Sequence, residues 1–282
     1  MGRRTPRPSS RRRKSRSGPL PRRSTHSSDE GYATVSAGRY EATERLRGLD
    51  PETPPLERGI LPHRLDAFED YVALPERMRG NYPSGFSEEE FRNYMGGMAA
   101  IDDATVRAIV TAAEHAHPRP DRLLNVGGGP GAFAAEFDRR GADVTLVDRE
   151  SVLDFLEDHH REQGLNVVEG DARESLPTGY DVVFGARMTV SLTLDGIREY
   201  FGNAYEALDP GGTFVGAEWV RGRSEVAERF GLHMVAISEA GNTYTEAEYR
   251  SALADNGFVD IEITDVPDTR FQVVVGHVPD SA

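Results

Sequence analysis

The sequence predicts an α/β protein: a doubly wound, mostly parallel sheet, closed by an antiparallel C-terminal hairpin and preceded by a short helical segment. Three observations carry this. From residue 123 to 220, short apolar runs alternate with longer stretches of helical periodicity, the order that builds parallel sheets from βαβ units. The first run, Leu123-Leu124-Asn125-Val126, stops at Gly127-Gly128-Gly129-Pro130-Gly131, and a helical pattern from Ala132 to Arg139 follows. Near the C-terminus, Val259 to Val266 and Arg270 to Val278 alternate in polarity around Pro267-Asp268-Thr269, as in a hairpin at a sheet edge.

Taken in order, the chain begins with residues 1–28, which hold nine arginines and Lys14 and no acid. A block this basic and this poor in apolar residues cannot bury a core, so residues 1–30 are expected to be a disordered tail. Subtracting its charge of about +10 from the whole-chain −14 leaves about −24 on the remainder. So acidic a body argues against nucleic-acid binding, which needs a basic face. Lys14 is the only lysine, and the acid excess is one that salt-adapted cytoplasmic proteins use for solubility. There is no transmembrane run and no secretory apolar segment, so the expected location is the cytoplasm. The absence of cysteine excludes disulfides, thiolate metal sites and a cysteine nucleophile. No histidine spacing suggests a metal: His115/His117 and His159/His160 do not share a helix face and read as surface residues.

Residues 31–118 form a helical cap in this reading, and 119–282 the cofactor-binding domain. From Gly31 to Pro62 loops are expected, with at most one short helix around Tyr40 to Leu46, and a helix over Leu65 to Leu74. Ser87-x-x-Glu90 is a capping box that opens a third, running on through Met95 and Met98. Asp102 and Asp103 cap a fourth, Ala104 to His115, which ends before Pro118. Beyond the glycine loop come a strand Val144 to Asp148, a helix Ser151 to Gln163 and a strand Asn166 to Glu169. A strand Tyr180 to Gly185, a helix Leu194 to Leu208, a strand Thr213 to Val220 and two further helices, 225–238 and 245–256, complete the series.

The glycine loop is where function is expected. Glycine lets the backbone turn and lets a ligand lie against it, and the following helix N-terminus offers free N–H groups. Asp148, 21 positions after Gly127, ends the next strand, where a carboxylate can accept both hydroxyls of a ribose. Asp171 occupies the corresponding place after the third strand, beside an adenine site. A nucleoside cofactor is implied. Gly127-x-Gly129-x-x-Ala132 with Asp148 also fits the Rossmann dinucleotide fingerprint, so an NAD-dependent oxidoreductase competes.

Five features in order resemble the Rossmann-like class I S-adenosylmethionine-dependent methyltransferases. They are the Val126-to-Gly131 loop, Asp148, Gly170-Asp171-Ala172, Leu208 with Pro210-Gly211-Gly212, and the closing hairpin. Residues 88 to 275 are more closely similar to small-molecule O-methyltransferases of the acetylserotonin and caffeate type. That similarity rests on Phe91 with Met95, Asn125 at the loop's usual Asp, Val147 to Val152, Leu232-His233-Met234-Val235, and Thr245-x-Ala247-Glu248-Tyr249 before Asn256-Gly257-Phe258. It implies S-adenosyl-L-methionine as cofactor, with contacts at Asn125, Gly127, Gly129, Gly131, Asp148, Arg149, Asp171, Ala172 and Arg187. It also implies a small-molecule acceptor and a homodimer, with no membrane partner. The family's larger N-terminal dimerisation domain has only a partial counterpart here.

Counted back without gaps from Pro210-Gly211-Gly212, the family's catalytic histidine falls on Val190, and its two flanking glutamates fall on Glu218 and Thr243. Glu218 and, as substitute base, His233 are therefore the catalytic candidates. Loss of a base is tolerable for an acceptor that ionises easily, so an acidic phenol or enol, or a carbon nucleophile, fits better than an aliphatic alcohol. Met95, Met98, Met188, Phe230, Met234 and Tyr244 are candidates to line an apolar acceptor pocket. A binding protein without catalysis is the remaining alternative.

Overall fold

The structure, a computed structural model, describes residues 33–37, 39–43, 46, 48–82 and 85–280. The basic segment 1–28 lies outside them. Two compact units are distinguished, residues 1–47 and 48–282.

In the first unit, strands β1 (Ala33–Ser36) and β2 (Arg39–Ala42) pair antiparallel, with Val35 opposite Tyr40. Over Tyr40 to Ala42 this corrects the helix expected around 40–46; Leu46 is helical, and residues 44, 45 and 47 lie outside the described residues. Thr34, Val35 and Tyr40 favour a pleated pairing, and so short a helix does not hold without packing.

The second unit opens with four helices: α1 (Leu61–Val72), α2 (Leu74–Arg77), α3 (Glu88–Ala99) and α4 (Asp103–Ala116). Ser87 and Glu90 close the expected capping box on α3, and Asp102 Oδ1 accepts the Thr105 N–H at 2.9 Å to start α4. The α/β alternation follows as β3 (Arg122–Val126), α5 (Ala132–Arg139), β4 (Asp143–Asp148), α6 (Glu150–Gln163), β5 (Asn166–Glu169) and β6 (Tyr180–Ala186). It continues through α7 (Leu194–Ala207), β7 (Leu208–Glu218), α8 (Ala227–Ile237), α9 (Glu246–Asp255), β8 (Val259–Asp265) and β9 (Gln272–His277). β7 begins five residues earlier than expected, because Leu208 already pairs with Tyr180 before the turn at Pro210-Gly211-Gly212 bulges out of the ladder.

The seven strands are ordered β5-β4-β3-β6-β7-β9-β8, with β3 to β7 parallel and both β9 pairings antiparallel. Side chains of the central strands alternate between two cores, as the pleat requires. Leu124, Val126 and Val183 pack with Ile197, Tyr200 and Phe201 of α7 and Tyr249 and Leu253 of α9. Leu123, Val182 and Phe184 pack on the other face with Ile109 and Val110 of α4 and Phe133 and Phe137 of α5. A third cluster joins the cap to the sheet domain: Met95 of α3 meets Val152 and Leu156 of α6. No helix among the described residues is long and apolar enough to cross a membrane.

Candidate active site

Strand order reverses between β3 and β6, and the crevice beyond the carboxyl ends of the strands at such a switch point is where open α/β sheets bind ligands. The glycine loop leaves β3 there. A Cβ at Gly127 would lie 2.4 Å from Met188 Sδ, and one at Gly128 would lie 2.4 Å from Leu146 Cγ. At Gly128 the branched Leu146 leaves no room for a side chain, and at Gly127 the φ of +63° disfavours one even where Met188 could move aside. Gly131 takes φ +86° and caps α5, whose N-terminus therefore faces the crevice. Asn125, 1 % exposed, sits beneath the loop, with Nδ2 donating weakly to Phe184 O at 3.4 Å and Oδ1 left without a partner.

Asp148, the last residue of β4, accepts the Gly129 N–H on Oδ2 at 2.9 Å and the Arg149 N–H on Oδ1 at 2.8 Å. Burial pushes its carboxyl above the usual range, against the pull of these two N–H groups. Arg149, Gly170 and Asp171 line a cleft of about 740 Å³ together with Glu169, Ser175 and Leu176. Asp171 turns onto Arg173, an ion pair of 2.9 Å, and that hydrogen-bonded guanidinium holds its carboxyl low. Ala172 is buried, and its carbonyl accepts from Asn203 Nδ2 at 2.8 Å.

Arg187 follows β6 with φ +55°, a left-handed backbone conformation that costs a non-glycine residue roughly 1–3 kcal/mol. The residue is half-buried, with its Nε sealed from solvent. Nη2 donates to Met98 Sδ at 3.1 Å, the guanidinium lies 5.6 Å from the Trp219 ring centre, and Nε has no partner. No carboxylate among the described residues forms an ion pair with it, and burial lowers its pKa. Tyr94, half-buried on α3, interacts electrostatically with Arg187, Asp148 and Arg149. Rings continue the wall: Trp219 to Phe230 at 4.5 Å between centres, Phe230 to His233 at 5.3 Å, His233 to His63 at 6.0 Å, and His63 to Tyr94 at 5.4 Å.

Glu218 ends β7 and is 1 % exposed. Oε1 accepts the Thr189 N–H at 3.1 Å, and Oε2 is sealed off with no partner. Burial pushes the carboxyl up to about 7, while the Thr189 hydrogen bonds and Arg187 pull it down. Val190 lies next to Thr189 in a buried 3-10 turn, its carbonyl accepting the Asn242 N–H at 3.0 Å. His233 stands apart from that group. Its Nδ1 is hydrogen-bonded to Tyr71 Oη at 2.9 Å, and burial together with His63 lowers its pKa to about 4.

The structure thus brings the glycine loop, Asp148, Arg149, Asp171, Arg187 and Glu218 to one end of the sheet. Of the residues named for an acceptor pocket, Met98, Met188 and Phe230 touch this region. Met95 packs against α6, and Tyr244 is spent on a hydrogen bond to Leu192 O. His159 and His160 are not the surface pair expected. The two rings reach Pro130 O at 3.1 Å and Gly129 O at 2.8 Å, because α6 runs alongside the loop. Tyr94, Trp219, His63 and Tyr71 were missed. Only the Phe91-Tyr94-Met95-Met98 spacing on α3 could have signalled one of them.

Solved structures share this architecture. An O-methyltransferase family protein from Burkholderia thailandensis matches with a TM-score of 0.72 and 17% identity, over 91% of this chain and 82% of that one. Human N-acetylserotonin methyltransferase, in complex with S-adenosylmethionine, matches with a TM-score of 0.69 and 18% identity, over 88% and 78%. A methyltransferase of calicheamicin biosynthesis in its S-adenosylhomocysteine-bound form gives 0.66 and 20%, over 89% and 80%. At these identities the likeness establishes the fold. The sequence itself carries the family: the model of the O-methyltransferase domain matches residues 81–259, from α3 through β7 to the first residue of β8. With its glycine loop, strand-end acids and closing hairpin in that family's order, the chain belongs to the O-methyltransferase domain family.

Proposed function

We propose that this protein transfers the methyl group of S-adenosyl-L-methionine to the oxygen of a small aromatic or enolic molecule. The observation that carries the cofactor assignment is the convergence of Asp148, the glycine loop and Arg187, a cation with no ion pair, at one end of the sheet. The donor set fits the group. Asp148 keeps lone pairs for the two ribose hydroxyls, and the cleft lined by Arg149, Gly170 and Asp171 has ample room for adenine. Arg187, with Nε unpartnered, offers a cation to the carboxylate of the methionine moiety. Three neighbouring structures named for bound S-adenosylmethionine or S-adenosylhomocysteine support the same cofactor.

When bound, this cofactor supplies a methyl group already activated as a sulfonium, so the chain's task is positioning, exclusion of water and removal of the acceptor's proton. Glu218 suits the last role better than His233. A base works best with a pKa near the working pH, and Glu218 stands at about 7 with a free Oε2. His233, at about 4 and engaged by Tyr71, accepts a proton poorly at neutral pH. The ring wall of Trp219, Phe230, His233, His63 and Tyr94 favours a flat acceptor. Helices α1 and α3, which supply Tyr71, Tyr94 and Met98, act as the cap that keeps water out.

Calorimetry with S-adenosylhomocysteine and with NADH tests the cofactor, and the homocysteine derivative alone should bind. NADH binding without a response to S-adenosylhomocysteine would overturn the assignment. Incubation with methyl-labelled S-adenosylmethionine and cell extract then identifies the acceptor, and a labelled ether is the expected product.

A further inference from the structure

Helix α6 carries near its C-terminus a residue that faces the cofactor loop rather than solvent. His160 is 2 % exposed, and its Nε2 lies 2.8 Å from Gly129 O. A carbonyl only accepts, so Nε2 carries the ring proton. Nδ1 is the bare nitrogen, sealed and without a partner. Burial lowers the pKa of this imidazole, which keeps it neutral and in that single tautomer. Three residues further on, Gln163 Nε2 donates to the next carbonyl, Pro130 O, at 3.3 Å.

Gly129 is consequently held on both sides. Its carbonyl accepts from His160, and its N–H donates to Asp148 Oδ2 at 2.9 Å. Its φ of +49° is not what the local sequence favours, since a residue before proline is driven toward extended backbone. Nothing lies within 4 Å of where its Cβ would be, so side-chain packing does not hold this conformation either.

Resting on the cofactor assignment above, we propose that His160 is a positioning residue for ribose recognition. By gripping the Gly129 carbonyl it fixes the N–H that orients the Asp148 carboxylate, leaving the outward lone pairs of that carboxylate aimed at the ribose hydroxyls. Without the His160 donor, Gly129 relaxes toward the extended region and its N–H swings off Asp148.

Calorimetric titration of the full chain with S-adenosylhomocysteine, and with its 2′,3′-dideoxy analogue, tests this. His160→Leu removes the donor, and His160→Asn keeps a polar side chain one bond too short to reach Gly129 O. Each should weaken S-adenosylhomocysteine binding roughly five- to tenfold, the worth of one buried hydrogen bond. His160→Gln, whose amide nitrogen stands where Nε2 does, should recover affinity to within about twofold. The dideoxy analogue should bind the wild type and the variants alike. Unchanged affinity in His160→Leu and His160→Asn overturns the proposal, as does an equal proportional loss for both ligands, which would mean that the loop merely loosens. A wild type that ignores S-adenosylhomocysteine overturns the cofactor assignment itself.

Discussion

Replacing Glu218 by glutamine probes the buried carboxyl at the end of β7 directly. In the folded protein this group holds its proton up to about 7, against 4.5 for an ordinary glutamate. Its folded pKa is raised, so folding binds the proton. The stabilisation is complete below 4.5, declines as pH rises from 4.5 to 7, and is gone above 7. The gap from 4.5 to about 7, at about 1.4 kcal/mol per pH unit, makes a loss of about 3 kcal/mol. No solvent discount applies to a side chain 1 % exposed. Glutamine keeps an oxygen for the Thr189 N–H and never ionises. Relative to wild type, Glu218→Gln should therefore gain about 3 kcal/mol in unfolding free energy between pH 4.5 and 7.5. Asp148, also raised by burial, contributes a slope of the same sign to both proteins and cancels in the difference. Urea denaturation at matched pH values, followed by the fluorescence of Trp219, the single tryptophan, reads this difference. A difference that stays flat across this pH range would mean that Glu218 titrates as an ordinary carboxylate, and its role as a base near neutrality would fall with it.

Asp148→Ala should weaken S-adenosylhomocysteine binding by roughly 1–3 kcal/mol in calorimetry while the fold persists, because a charged acceptor of two hydroxyls is lost. Unchanged affinity with a lower melting temperature would leave Asp148 only as the tie to Gly129. Arg187→Met removes an enclosed cation that acts on Glu218 at a distance but forms no ion pair, so cofactor binding should fall at least tenfold while the melting temperature holds or rises. Loss of stability together with loss of binding would mean that Met98 and Trp219 already satisfy Arg187. Val190→His should speed methylation of a phenol most at low pH, with the advantage fading above the phenol's own pKa. A rate lowered equally at every pH would make Val190 a packing residue.

What was legible in the sequence is what neighbouring residues decide among themselves. Helix α5 runs over the expected Ala132 to Arg139, and β5 over Asn166 to Glu169, because glycines and strand-end acids bound both within a few residues. Asp148 was legible for the same reason: its position follows from one strand's length and one loop's register. The rest depends on distant partners. Tyr71 meets His233 across 162 positions, and Tyr82 meets Val235 O across 153, so no local pattern announces either contact. His160 was misplaced because helical spacing says which residues share a face, not what that face meets 31 residues earlier in the chain. Arg187 is a surface residue by type, and only the three-dimensional placement of Met98 and Trp219 shows it enclosed.

The place of β9 has a consequence for the order of assembly during synthesis. β9 lies between β7 and β8 but is made after both, while β8 pairs with β9 alone. Until Gln272 to His277 have emerged from the ribosome, β7 presents an unpaired edge from Thr213 to Glu218, and β8 has no partner to receive it. The nascent chain can therefore settle its glycine loop and its five parallel strands early, yet Glu218 stays at a frayed border until Gln272 to His277 arrive. Such an intermediate is exposed to edge pairing with another chain. Ribosome-bound chains stalled before Gln272 should be protease-sensitive in β7 and protected through β3 and β4.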